Sequence, residues 1–359
     1  MSTPSLPSLE DLGAAGSCQE ALHERAASVA RERFGRRAFV RAVVEVSNHC
    51  RENCAYCGMR RDNASLSRYR AQHDQLAELL IHHQPATVTD VNLQAGEDPV
   101  AVREVVLPLV RTLRRETGLG VSVCLGTLTP RLYDQLRGAG ASIYILKFEL
   151  ADRRLYSQLE APGTLEERTH HIRLLARSGW RVSSGFIAGL PGQDMADLRA
   201  CFQLANELPL RGCSVSPFIA GEDTPFAAAP PASTDWALNC MAALRLMRPG
   251  WVIPCVSALN LTDRDGYRRG LRAGANLVTI NLTPDSMRGD YLIYKRDRFV
   301  MTEERILAAL EAERLCPSTQ GLAEFFESGG PAAAPGNTEQ ATLPPMHRAC
   351  PPAWPARSS

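Results

Sequence analysis

Apolar residues recur along this chain in two periods that take turns. Over residues 8–34 they fall at helical spacing, which predicts a helical N-terminal extension. The β-rich run "AFVRAVVEVS" follows, and from there short strand-like runs alternate with longer helical ones. The further strand candidates are "TVTDVNLQAG", "GVSVCLG", "SIYILKFEL", "RVSSGFIAGL", "GCSVSPFI", "WVIPCVSAL" and "ANLVTINL". Helical segments between them include "AVREVVLPLVRTLRRETG", "TLEERTHHIRLLARSG" and "MADLRACFQLANEL". Strands separated by helices pair in parallel through right-handed crossovers. Eight such units predict an α/β fold, a (βα)8 TIM-type barrel over residues 37–328, with 1–36 as the helical extension. An open doubly wound sheet is the alternative. Residues 329–359 are rich in Pro and Ala, show no periodicity, and predict a disordered C-terminal tail.

The 359 residues, 45% of them hydrophobic, suffice for one such barrel with extensions. A formal net charge of +1 gives no global attraction for nucleic acid or an anionic membrane. "MSTPSLPSLEDLGAAG" lacks the basic start and apolar run of a signal peptide, and no stretch is apolar for long enough to span a bilayer. A cytoplasmic protein with reduced thiols is therefore expected. Eleven cysteines in that setting point to metal binding or burial rather than a disulfide framework. Cys124, Cys201, Cys213, Cys240 and Cys255 stand singly in apolar segments, where cysteine acts as a small hydrophobe.

Cys50, Cys54 and Cys57 are different. They crowd into "SNHCRENCAYCGMR", just after the first strand, at the end of a barrel where functional residues collect. A structural zinc site takes four closed ligands, and no second cysteine pair follows. A redox pair would use Cys54 and Cys57 and leave Cys50 unexplained. Three thiolates on a four-iron cluster would leave one iron open to bind a small molecule.

The Cys-x3-Cys-x2-Cys spacing, with Tyr56 before the last cysteine, resembles the signature of the radical S-adenosylmethionine (SAM) enzymes. "VEVSNHCRENCAYCGMRRDNASLSRYR", "LQAGEDP", "GFIAGLPGQ", "PFIAGEDTPF" and "LRAGANLVTINLTPDS" are similar to the group containing [FeFe]-hydrogenase maturase, methylornithine synthase and biotin synthase. The resemblance implies one [4Fe-4S] cluster on Cys50, Cys54 and Cys57, with SAM chelating the open iron. An electron from the cluster then cleaves SAM to a 5′-deoxyadenosyl radical, which takes hydrogen from a small-molecule substrate. A flavodoxin- or ferredoxin-type electron donor is implied as partner.

The resemblance also implies a SAM-binding set: Tyr56, Gly96, Glu97, Glu149, Arg168, Ile187, Gly189 and Leu190. Glu97 suits the methionyl amine, although Asp98-Pro99 beside it also reads as a plain helix start. An acid at the end of an apolar strand, as Glu149 is, is costly unless used. The Arg168 fork suits a carboxylate. Ile187 and Leu190 are placed against the adenine, with Gly189 allowing close approach. Candidate substrate residues are Ala95, Lys147, Phe148, Asn281, Thr283, Tyr291 and Tyr294. Ala95 and Phe148 depart from the maturase pattern, and the C-terminal third is nearer to methylornithine synthase. These features together predict an amino-acid-type substrate and a carbon-skeleton rearrangement or fragmentation. The alternatives are a maturase acting on an iron–cysteine complex, or a non-catalytic iron–sulfur redox sensor.

Overall fold

The computed structural model describes residues 6–296 and 299–329. The predicted tail lies, from residue 330 on, outside the described residues. Seven strands form a parallel sheet: β1 (Arg37–Ser47), β2 (Asp90–Ala95), β3 (Gly120–Cys124), β4 (Ile143–Ile145), β5 (Arg181–Ala188), β6 (Gly212–Pro217) and β7 (Leu277–Asn281). Their order is β6-β5-β4-β3-β2-β1-β7. A short eighth strand, β8 (Cys316–Pro317), pairs with Arg37 and Ala38 at the start of β1.

The run "WVIPCVSAL", expected as a full strand, forms only isolated parallel bridges. Val252 bridges to Gly212 of β6 and Pro254 to Leu277 of β7, which completes the ring and rules out the open sheet. Pro254 has no N–H to give a ladder, so regular pairing fails there. Side chains supply the missing ties. Asn276 Oδ1 accepts from the Ile253 N–H (2.8 Å), and the fully buried Arg245 donates to the carbonyls of Gly274 (2.8 Å), Pro249 (2.7 Å) and Trp251 (2.8 Å). "SIYILKFEL" also shortens, to Ile143–Ile145, and beyond it Glu149 takes a left-handed φ of 65°.

The strands alternate between two surroundings, as a barrel requires. On β1, Val40, Ala42, Val44 and Val46 are fully buried against the helices, whereas Arg41, Val43 and Glu45 face an interior cavity of about 190 Å³. That interior is unusually polar: Asn92, Gln94, Lys147, Ser214, Ser216 and Asn281 line it too. At the strands' N-terminal ends, the helix Leu322–Glu327 packs Leu322, Phe325 and Phe326 on Phe39, Ile143, Val252 and Leu277. Asp90 fixes that helix by accepting from the N–H groups of Leu322 (2.6 Å) and Ala323 (3.0 Å).

The N-terminal helices Leu9–Leu12 and Gly16–Phe34 lie on the helix Thr234–Met247, whose buried Asn239 donates to the Leu12 and Ala14 carbonyls (3.1 and 2.9 Å). No described helix is long and apolar enough to cross a membrane.

Candidate active site

The cysteine loop leaves β1 through an irregularity between Glu45 and Ser47, which shifts register against β2 and redirects the chain over the barrel's C-terminal end. Arg68 holds the loop's shape by donating to three of its carbonyls, those of Asn48 (2.6 Å), Met59 (2.9 Å) and Arg60 (2.6 Å). Gly96 lets it lie close: a Cβ there would overlap the His49 carbonyl oxygen. The glycine at 96 is thus what lets the cysteine loop pack this closely on the end of β2. The next residue donates its backbone N–H to Cys50 Sγ at 3.4 Å.

Burial pushes the Cys50 and Cys54 thiols up, Cys54 strongly, and Cys57 to about 12. Buried thiols of this kind become useful ligands when a cation offsets the lost solvation, which iron supplies. No three His, Cys, Asp or Glu side chains among the described residues are grouped tightly enough to hold one metal ion. A cube-shaped cluster asks for something different, because each thiolate binds a different iron and the sulfurs stand apart. Three thiols on one clamped loop, with a backbone donor on Cys50, fit that group.

Glu97 sits at the centre of the neighbouring polar network. Its carboxylate pairs with Arg168 Nη1 through Oε1 and with Arg51 Nη2 (3.0 Å) through Oε2, and it accepts from Thr127 Oγ1 (3.2 Å). Burial pushes this carboxyl up, but Arg168 and then Arg51 outweigh it and hold it below its ordinary value. Gly126, at φ 70°, lies where any Cβ would overlap that carboxylate. Arg168 also donates from Nε to the Lys147 carbonyl (3.0 Å), and its Nη2 has no partner among the described residues. Asp98 does start a helix, capping Val100, and it is anchored by Ser47 (2.7 Å) and Arg70 (2.7 Å). Arg51, Arg68, Gly126 and Thr127 escaped the sequence reading. Only the position of Arg51, next to a cysteine, was a signal.

The other expected residues divide. Glu149 extends from its left-handed backbone without a side-chain hydrogen bond among the described residues, in the fields of Lys147 and Cys54. Tyr56, Ile187 and Leu190 are buried in the main apolar core at the same end. Gly189 is backed by Ala232 and Trp236, and its loop is tied down by Gln193, so its small size serves packing.

Lys147, Asn281 and Tyr294 line the cavity, with Tyr294 bonded to Ser216 and Asn281 Nδ2 donating to Glu45 Oε1 (3.2 Å). Four substrate candidates do not line it. Phe148 points away from the cavity, stacked on Phe186 at 5.8 Å in the helix-facing layer, because it alternates with Lys147. Thr283 is fully buried and accepts from the Glu45 N–H (3.0 Å). Tyr291 belongs to a small cluster with Met59, Leu66 and Leu292. Ala95 packs against the main core.

Comparisons with known proteins agree with this geometry. Residues 44–205, which hold the cysteine loop, Glu97, Glu149 and Arg168, match the radical SAM superfamily. The [FeFe] hydrogenase maturase subunit HydE of Thermotoga maritima is 32% identical over 278 residues, 77% of this chain and 79% of that protein. The 3-methylornithine synthase of Methanosarcina barkeri is 29% identical over 288 residues, covering 77% and 79%. The crystal structure of methylornithine synthase (PylB) superposes with a TM-score of 0.77 at 26% identity, covering 91% of this chain and 97% of that one. On sequence, fold and the clamped cysteine loop together, this chain belongs to the radical SAM superfamily, whose members use a [4Fe-4S] cluster and S-adenosylmethionine.

Proposed function

We propose that this radical SAM enzyme acts on a small amino-acid-type substrate in the barrel cavity and rearranges or fragments its carbon skeleton. Cys50, Cys54 and Cys57 hold the cluster on this reading. Arg168 Nη2 takes the SAM carboxylate, while Glu97 and Glu149 receive its amine and ribose. When bound, the cluster and SAM together supply a carbon radical that takes a hydrogen atom from the substrate. The chain's own residues position and shield. The Arg51–Glu97–Arg168 network holds a carboxylate ionised out of water, and the buried Tyr56, Ile187 and Leu190 keep solvent from the reacting end.

The observation that supports an amino-acid-type substrate is charge of both signs lining one cavity. Lys147 is a cation with no ion pair within the described residues, and Glu45 lines the same space beside Asn281. Burial pushes the Lys147 ammonium down, but Glu149 and other neighbours outweigh it, so it stays charged and suits a carboxylate. A second reading, a HydE-like maturase acting on an iron–cysteine complex, is favoured by the 32% identity to HydE. The Phe148 difference no longer weighs against it, since that side chain faces the helices.

The deciding experiment is an anaerobic screen of deuterated amino acids with the reconstituted enzyme, reading deuterium in 5′-deoxyadenosine. Transfer from an amino acid is expected. SAM cleavage only with an iron–cysteine complex, and never with amino acids, overturns the proposal.

A further inference from the structure

Two buried tyrosines hold the short loop against which Glu97 rests. That loop follows β3 and runs from Gly126 to Leu128. Its middle residue, Thr127, donates from Oγ1 to Glu97 (3.2 Å), and its carbonyl accepts from Arg51 (2.9 Å). The residues on either side are tied by phenols. Tyr144 Oη donates to the Gly126 carbonyl (2.8 Å), and Tyr133 Oη accepts from the Leu128 N–H (3.0 Å). The two rings meet edge-on with centroids 5.1 Å apart.

Tyr133 Oη also lies 3.0 Å from His171 Nδ1. A phenol has one proton to give. The Tyr133 oxygen already accepts from Leu128, so its proton goes to His171 Nδ1, and the imidazole is neutral with its own proton on Nε2. A charged imidazole would turn an N–H toward the phenol and leave the phenol proton without its acceptor. His171 follows Arg168 by three residues on the helix Leu165–Arg177, so the two share a face. One helix therefore grips Glu97 twice, directly through Arg168 and indirectly through His171, Tyr133 and the loop.

We propose that Tyr133 and His171 are positioning residues for SAM: they fix the Gly126–Leu128 loop so that Glu97 keeps one orientation toward the methionyl amine. Both act through Glu97. The Leu128 N–H that Tyr133 satisfies is buried, so a loop without the phenol shifts to find another partner and carries Thr127 off Glu97. The inference rests on the assignment of Glu97 to SAM and is independent of which substrate is used.

A dependence on pH follows. The groups facing His171 are Glu167, Arg168 and His170 on its own helix, Glu97 after β2, and Tyr133 on the helix Pro130–Ala139. Burial, then His170 and Arg168, push the imidazole down, against Glu97 and Glu167. The relay is thus intact at neutral pH and breaks as pH falls below 6.5, where the Glu97 carboxyl, held below 4.5, is still ionised.

The test uses the full chain with its cluster reconstituted and SAM as the probe. Affinity is read by anaerobic equilibrium dialysis, with iron content measured for each variant. Tyr133→Phe is expected to bind SAM about tenfold more weakly at neutral pH with iron content unchanged. His171→Leu, at a half-buried position, should match it, and the double variant should be no weaker than either single one. His171→Asn, whose amide oxygen can take the phenol proton, should bind as wild type does at neutral pH. Wild type should lose affinity in mild acid and His171→Asn should not. Wild-type affinity in both Tyr133→Phe and His171→Leu, additive losses in the double variant, an equal acid loss in His171→Asn, or a fall in iron parallel to the fall in affinity each overturns the proposal. Glu97→Gln separates it from the reading beneath it. Undiminished SAM binding by that variant removes the assignment of Glu97 to SAM and this inference with it. Weak binding by Glu97→Gln beside wild-type binding by Tyr133→Phe removes the positioning role alone.

Discussion

Glu97 shows how much a single buried carboxylate can organise. Arg168 closes on one oxygen and Arg51 with Thr127 on the other, and Gly126 leaves room for the group between them. Removing one partner of a buried pair exposes the other to an uncompensated desolvation cost, so Glu97→Gln should destabilise the fold by roughly 3 kcal/mol at neutral pH. The sign with pH follows from the lowered carboxyl. Its contribution is fully present above the ordinary value of 4.5 and is lost as pH falls through the lower folded value. Thermal unfolding of wild type and variant should therefore differ most near neutrality and converge in acid.

At the cysteines, replacing Cys50, Cys54 or Cys57 singly by Ala should abolish both iron retention and SAM cleavage. Full activity in any one of the three would contradict the cluster assignment. Gly96→Ala should act one step removed, displacing the loop through the His49 carbonyl and lowering iron content, while circular dichroism stays that of the intact barrel.

Among the elements, the weak seam is the segment that carries Val252 and Pro254. Where strand pairing fails, Arg245 and Asn276 substitute for it. Arg245→Met strands the carbonyls of Pro249, Trp251 and Gly274 in the interior and should cost roughly 3 kcal/mol. Denaturant titration would measure this.

The elements were largely legible beforehand, because strands buried on one face and helices with apolar stripes announce themselves by period. "WVIPCVSAL" looked regular because apolarity says nothing of a missing N–H. Phe148 was misjudged for a related reason. A residue's distance from a motif does not say which way it points, and only the observed alternation set Lys147 inward and Phe148 outward. The cysteine triad, Glu97 and Arg168 stood out in the sequence by residue type and spacing, and the structure joins Glu97 to Arg168 in one ion pair. Arg68 and Gly126 did not, since their work is to hold backbone carbonyls and to leave space, and neither task has a spacing rule.

At the scale of the molecule, the barrel is a chamber with a floor. Leu322 lines the cavity from below, and Asp90 pins the helix that carries it. Asp90→Ala should release the N–H groups of Leu322 and Ala323 and speed hydrogen exchange over residues 321–327, while the cysteine loop exchanges as before.

A floored chamber also imposes a timetable. A substrate that reacts inside, as proposed, and enters past the rim where SAM is proposed to sit has to come before SAM. It leaves only after the fragments of SAM have cleared the way. A steady-state study should accordingly find compulsory-order addition, with an unreactive SAM analogue trapping the earlier guest rather than competing with it.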